Sequence, residues 1–383
     1  MSSGAFLSVL RRPGVARPAA GAVLASLPIG MLGLAVLLLV QRSEGGFATA
    51  GLAVGLLGAG TALGMVVQGR LIDRLGQTRV LLTAVAVQAV AIAGLVLAAR
   101  SGVLGAVLVC AFLGGSCEPQ VNASLRALWP TLVPPGLLPA AMTCSSVMFE
   151  APVLAGPLLL TVALPVIGPA TAILLCGVLF TGGAVLLATS RASLTWRTGD
   201  RKKGLTGALT SRGVRTALLA GAAAGLLIGM VQVSAAALFT DRAGLMYAAI
   251  SVGSLIGALA WGTRMQGDRP ELRLAGLILM CAITTGVAAL MTTPVVFAVA
   301  LFAFGLGLGP TGVLKFSLAA RTAPPGHAVE AFTLIAAAGV SAIAAGATVA
   351  GAVADRLGPA TALTAAATVA VFVAVVLVSR GSR

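Results

Sequence analysis

Glu118 and Glu150 are acids set deep in apolar sequence, each sixteen residues from Pro134, one before it and one after. A carboxylate that far from water is expensive and is a functional group by default. If the flanking stretches form an antiparallel helical hairpin about Pro134, equal arms place both carboxyls at one depth on neighbouring helices. Facing a cavity, they would repel, titrate as a coupled pair and carry protons or bind substrate. The other reading is local: hydrogen bonds to Gln120, Asn122 or Ser145 that only stiffen the packing. Lys315, in a later apolar run, suits a counter-charge for an anion or for a glutamate, or a side chain that snorkels to an interface. Gln88, Gln120, Asn122, Gln232 and Ser234 are further polar side chains in apolar runs and candidates to line a cavity. The chain has one histidine, His327, in a loop, and neither a metal-ligand cluster nor a phosphate-cradling glycine loop. No catalytic residue, metal or cofactor is therefore expected, which disfavours an enzyme and an ATP-driven pump.

The elements that must position these groups are apolar helices. The sequence is 58% hydrophobic and 9% charged, where a soluble domain carries about 25% charged residues. Runs of about 20 apolar residues are long enough to cross a bilayer as helices, and the period-two alternation of a membrane barrel is missing. The runs predict spans at 19–40, 49–68, 80–99, 103–128, 140–163 and 170–187 in the first half of the chain. Spans at 217–239, 243–262, 274–291, 295–319, 329–353 and 360–378 follow in the second. The expected fold is an all-α polytopic membrane protein of about 12 transmembrane helices in two pseudo-symmetric six-helix bundles.

The net charge of +15 is topological. With the N-terminus inside, nearly all Lys and Arg fall in cytoplasmic segments; apart from Lys315, only Arg42, Arg100, Arg242 and Arg356 do not. That is the positive-inside pattern with both termini cytoplasmic, and it argues against nucleic acid as the partner. Trp129, Trp196 and Trp261 fall near the cytoplasmic face, as an interfacial belt would place them. The five cysteines all lie inside predicted helices and imply no disulfide framework.

The chain also repeats itself. Pro134-Pro135-Gly136 returns as Pro324-Pro325-Gly326, and Gly168-Pro169-Ala170-Thr171-Ala172 returns as Gly358-Pro359-Ala360-Thr361-Ala362, both 190 residues on. A duplicated half follows, with boundaries at a tail 1–18, a first bundle 19–189, a basic linker 190–215, a second bundle 216–379 and a tail 380–383. Small residues recur at helix-packing spacing, Gly51/Gly55 and Gly60/Gly64 in the second span and Ala342, Gly346 and Ala350 in the eleventh. They predict close helix contact, which in lipid must be supplied by packing.

Between the second and third spans lies the run Gly69-Arg70-Leu71-Ile72-Asp73-Arg74-Leu75-Gly76-Gln77-Thr78-Arg79. It resembles the G-x-x-x-D-R-x-G-x-x-R/K loop signature of the major facilitator superfamily, most of all its bacterial efflux-type members. The resemblance implies two bundles related by an axis along the membrane normal. It also implies a gate in which Gly69, Asp73, Arg74, Gly76 and Arg79 lock the cytoplasmic side, with Arg126 as a candidate partner of Asp73. Two exporter features are missing: the arginine expected near Cys110 or Ala111, and paired glycines beside Gly156-Pro157. Gly351-Ala352-Val353-Ala354-Asp355-Arg356-Leu357-Gly358 mimics the signature on the expected outer side and is read as coincidence. The functional expectation is a monomeric, proton-coupled exporter of small amphipathic metabolites or drugs, multi-pass in the bacterial inner membrane. A proton-coupled importer of a small metabolite and a non-transporting membrane sensor or scaffold are the alternatives.

Overall fold

The computed structural model describes residues 8–44, 46–196, 208–261, 269–324 and 328–381. Among them the chain is helix and turn, without a strand. The helices are α1 (Ala16–Glu44), α2 (Phe47–Leu75), α3 (Gln77–Arg100), α4 (Leu104–Ser116), α5 (Val121–Leu132), α6 (Leu138–Ala188) and the short α7 (Arg191–Thr195). Then come α8 (Arg212–Leu238), α9 (Ala243–Trp261), α10 (Pro270–Ala289), α11 (Pro294–Thr322), α12 (Ala328–Leu357) and α13 (Pro359–Gly381). Eleven helices among the described residues are long and apolar enough to cross a membrane, the fourth being α4 and α5 together. The fifth and sixth expected spans are joined in α6, whose 51 residues would run about 75 Å, over twice the thickness of a bilayer core. Gly168 interrupts it at φ 69, ψ 168, a backbone region nearly closed to side chains.

Gly168 has a counterpart of similar backbone form at the repeated sequence. Its counterpart Gly358 takes φ 88, and each glycine is followed by a proline opening the next helix. Proline fits there because the first helical N–H has no intrahelical partner to lose. His327 and Pro324-Pro325-Gly326 beyond Pro324 lie outside the described residues.

Packing divides the chain into two compact units: residues 1–36 with 63–201, and residues 37–62 with 202–383. Helix α2 thus passes from the second unit into the first. In the first unit Gly21 lies against the backbone of Gly183, and Gly156 against that of Leu27. In the second, α9 and α11 interlock. Gly253 and Gly257 face the carbonyls of Phe302 and Leu306, while Gly305 and Gly309 face those of Ile250 and Ser254. Any Cβ there meets backbone, which cannot give way as a side chain can. Gly257→Val is expected to lower the thermal unfolding midpoint of the purified protein by about 1–4 °C, the scale of overpacking in a chain this long.

The small-residue stripes do make close helix contacts. Gly51 and Gly55 meet the eleventh span, now α12, at Ala347, Gly351 and Thr348. Gly346 and Ala342 meet α8, at Leu226 and Gly225. Trp129 is no belt residue; it is fully buried in the first unit.

Candidate functional site

The fourth span opens at its midpoint. The sequence predicts one helix over 103–128, whereas α4 stops at Ser116 and α5 starts at Val121. Glu118 sits at the centre of the 29-residue span Leu104–Leu132. Pro119 is the cause: it has no N–H, and its ring conflicts with the carbonyl four residues back, that of Gly115. Gln120, at φ −78, ψ 53, is the centre of an inverse γ-turn, closed by the Val121 N–H donating to the Pro119 carbonyl at 2.8 Å.

Backbone groups freed at that depth find no water in the hydrocarbon and need protein partners. Side-chain amides supply them. Gln68 of α2 donates Nε2 to the carbonyls of both Ser116 (3.0 Å) and Glu118 (2.8 Å). Gln120 Nε2 gives the Glu118 carbonyl a second donor at 3.1 Å, and Gln88 Nε2 donates to the Gly114 carbonyl at 3.3 Å. A turn further on, Asn122 Nδ2 donates to Ser26 Oγ at 3.0 Å, and Ser26 donates in turn to the Ala22 carbonyl at 2.7 Å. Gln68 reaches the break because Gly64, one turn earlier, lies directly against the Ser116 carbonyl. The half-buried Glu118 therefore stands in a collar of amides drawn from α2, α3 and its own strand of chain.

Glu118, Gln88, Gln120 and Asn122 are legible as polar residues in apolar sequence; Gln68 and Ser26, which are not among the sequence-based candidates, carry the same signal. Gln88 is 1% exposed, so it supports the helix end and does not line open space in this conformation. Glu150 lies in α6, and its side chain is outside the described part of the structure. In the second unit Ser234 is fully buried and Gln232 half-buried on α8. Lys315 is half-buried on α11, its stem beside Gly221 and its Nζ 5.2 Å from the Phe316 ring centroid. Two apolar grooves of about 560 Å³, between Ile92 and Leu174, and about 250 Å³, between Leu219 and Val373, touch none of these residues.

The signature 69–79 is less a loop than a hinge of one residue. Gly69 to Leu75 complete α2, Gly76 turns the chain at φ 88, and α3 begins at Gln77. Asp73 is half-buried, and Arg74, Arg79 and Arg126 are exposed. The residues that bolt the hinge down are ones the motif leaves unspecified. Gln77, 1% exposed, donates Nε2 to the Ser124 carbonyl at 3.3 Å. Thr78 donates Oγ1 to the Ala188 carbonyl at 2.9 Å and lies 3.2 Å from Ser193 Oγ. The hinge is thereby held against α5 two residues from Arg126, the partner expected for Asp73.

No curated protein sequence matches the chain significantly. Among solved structures the chain is similar to the human organic anion transporter MFSD10 (TETRAN), at 18% identity and TM-score 0.63, covering 96% of this chain and 100% of that one. It is also similar to a POT family transporter crystallised with a thioalcohol-conjugated peptide, at 14% identity and TM-score 0.71 over 96% and 95% of the two chains. The nucleoside transporter NupG gives 10% identity and TM-score 0.73 over 95% and 99%. Identities this low speak for the fold alone. The family model of the Major Facilitator Superfamily matches residues 19–347, taking in both the hinge and the broken span. The chain belongs to the Major Facilitator Superfamily of membrane transporters.

Proposed function

We propose that the protein is a secondary active transporter working by alternating access, exporting small amphipathic metabolites or drugs at the expense of a proton gradient. The observation that supports this reading is the interrupted fourth span with Glu118 at its midpoint. Irregular backbone at membrane depth is tolerated where protein buries it or where it lines a cavity, and interrupted helices build the ion and substrate sites of secondary transporters. Glu118 is the group to which we assign the proton, with Glu150 and Lys315 as further charges on the path. Asp73, Arg74 and Arg126 form the cytoplasmic gate. In this reading α6 crosses twice, both termini are cytoplasmic, and a monomer acts in a bacterial inner membrane. Aromatics make up only 4% of the chain, which suits an amphipathic substrate better than a sugar, whose hydroxyls need many polar and aromatic partners.

The test is accumulation of labelled amphipathic compounds in an efflux-deficient bacterial host. Wild type is expected to lower accumulation, a protonophore to abolish the effect, and Glu118→Gln to reduce it at least tenfold. Higher accumulation with wild type would reverse the direction. Full activity of Glu118→Gln, with unchanged pH dependence, would remove Glu118 from proton coupling and return it to a packing role.

A further inference from the structure

The run 351–358, read from sequence as a coincidence, has the geometry of the hinge. Asp73-Arg74-Leu75-Gly76 and Asp355-Arg356-Leu357-Gly358 are the same four letters, each closing a long helix, α2 and α12. Both terminal glycines take φ 88 before the next helix starts. An aspartate in the last turn of a helix opposes that helix's own dipole, so its placement calls for a different helix to benefit.

For Asp355 that helix is α2. Asp355 Oδ1 accepts from the Phe47 N–H at 3.0 Å and Oδ2 from the Ala48 N–H at 2.7 Å, 308 and 307 residues away in sequence. These are two of the N–H groups that every helix start leaves unpaired. Gly46, the residue before α2, has no side chain to cap them, and a Cβ on it would sit 3.1 Å from Asp355 Oδ2. Beneath the cap the helices run antiparallel in direct contact. Gly51 meets Ala347 and Gly351, Gly55 meets Thr348, and Gly58 meets Ala344. The carboxylate at the rim of this small-residue seam is its polar tie.

We propose that Asp355 is a conformational latch. It holds together the ends of α2 and α12 opposite the Asp73 hinge, which the charge pattern makes the outer ends, and its two bonds must break for that face to open. The proposal rests on the alternating-access reading but on no particular substrate, direction or coupling ion.

Thr348→Cys in the full-length protein, purified in detergent, places a thiol in the seam beside Gly55 at little change in volume. Its maleimide labelling rate reads opening without any substrate, with the native cysteines corrected for on the protein lacking the new thiol. Asp355→Ala removes both bonds, and labelling of Cys at 348 is expected to quicken about tenfold, the scale of losing a cap. Asp355→Asn keeps one capping acceptor and is expected to fall between. Equal rates for wild type, Asn and Ala would overturn the latch. So would a parallel rise in labelling of the native, buried Cys281, which would mean general loosening. A selective rise at 348 in a protein that moves no compound would support the latch and count against the transport reading.

Discussion

Gln68→Leu is expected to cost the protein both stability and transport. Leucine nearly matches glutamine in volume, so the change tests hydrogen bonding and leaves packing largely intact. It strips one donor from each of two carbonyls, Ser116 and Glu118, at the middle of a membrane span. A buried polar group left short of a partner costs about 1–3 kcal/mol. The Glu118 carbonyl keeps Gln120, so a total of about 2–4 kcal/mol is expected, or roughly 2–5 °C in the unfolding midpoint of a chain this long. Transport should fall with it, because the collar positions the backbone on which Glu118 is carried. Gln88→Leu is the comparison: it removes a longer bond, 3.3 Å, to Gly114 inside α4, and its cost should be the smaller. If Gln68→Leu melts with wild type, the collar is not what supports the break.

Much of the fold follows from patterns that sequence carries openly. Apolar runs set the helices, and the two Gly-Pro turns 190 residues apart set the repeat, because few residues besides glycine tolerate the φ found at Gly168 and Gly358. The broken span was not visible, for a definite reason. Proline alone is a poor signal in membrane helices: Pro28, Pro130 and Pro310 all lie inside unbroken ones. What distinguishes Pro119 is its flanks, Glu118 and Gln120, with Gln68 and Gln88 in other helices to receive the freed backbone. That condition is tertiary, and hydropathy averaged over a span erases it. The run 351–358 is hidden for the opposite reason: its letters are plain, but the side of the membrane on which they fall argues against them, and only the bonds from Phe47 and Ala48 reveal the contact they make. Asp355 offers its carboxylate to a neighbouring helix start, and that chemistry has no preferred side of a membrane.

Pro119→Ala separates the break as architecture from the break as mechanism, and its two readouts are expected to move in opposite directions. Alanine restores an N–H that can donate to the Gly115 carbonyl and removes the ring that conflicts with it. An interior proline costs a helix about 3 kcal/mol or more, so a continuous helix through residues 116–121 becomes accessible. Closing it would take up the Ser116 and Glu118 carbonyls as ordinary helix acceptors and release the Gln68 amide. It would also withdraw the irregular backbone on which Glu118 stands and swing that carboxyl around the helix axis. The unfolding midpoint is therefore expected to equal or exceed that of wild type, while transport falls at least tenfold. Gln68→Leu should then cost less in the Pro119→Ala background than alone, since the carbonyls it abandons are satisfied within the helix. A double-mutant cycle on thermal stability reads that difference, because residues sharing hydrogen-bond partners couple. Additive costs would show that the helix does not close. Full transport by Pro119→Ala would show that the protein does not need the opening beside Glu118.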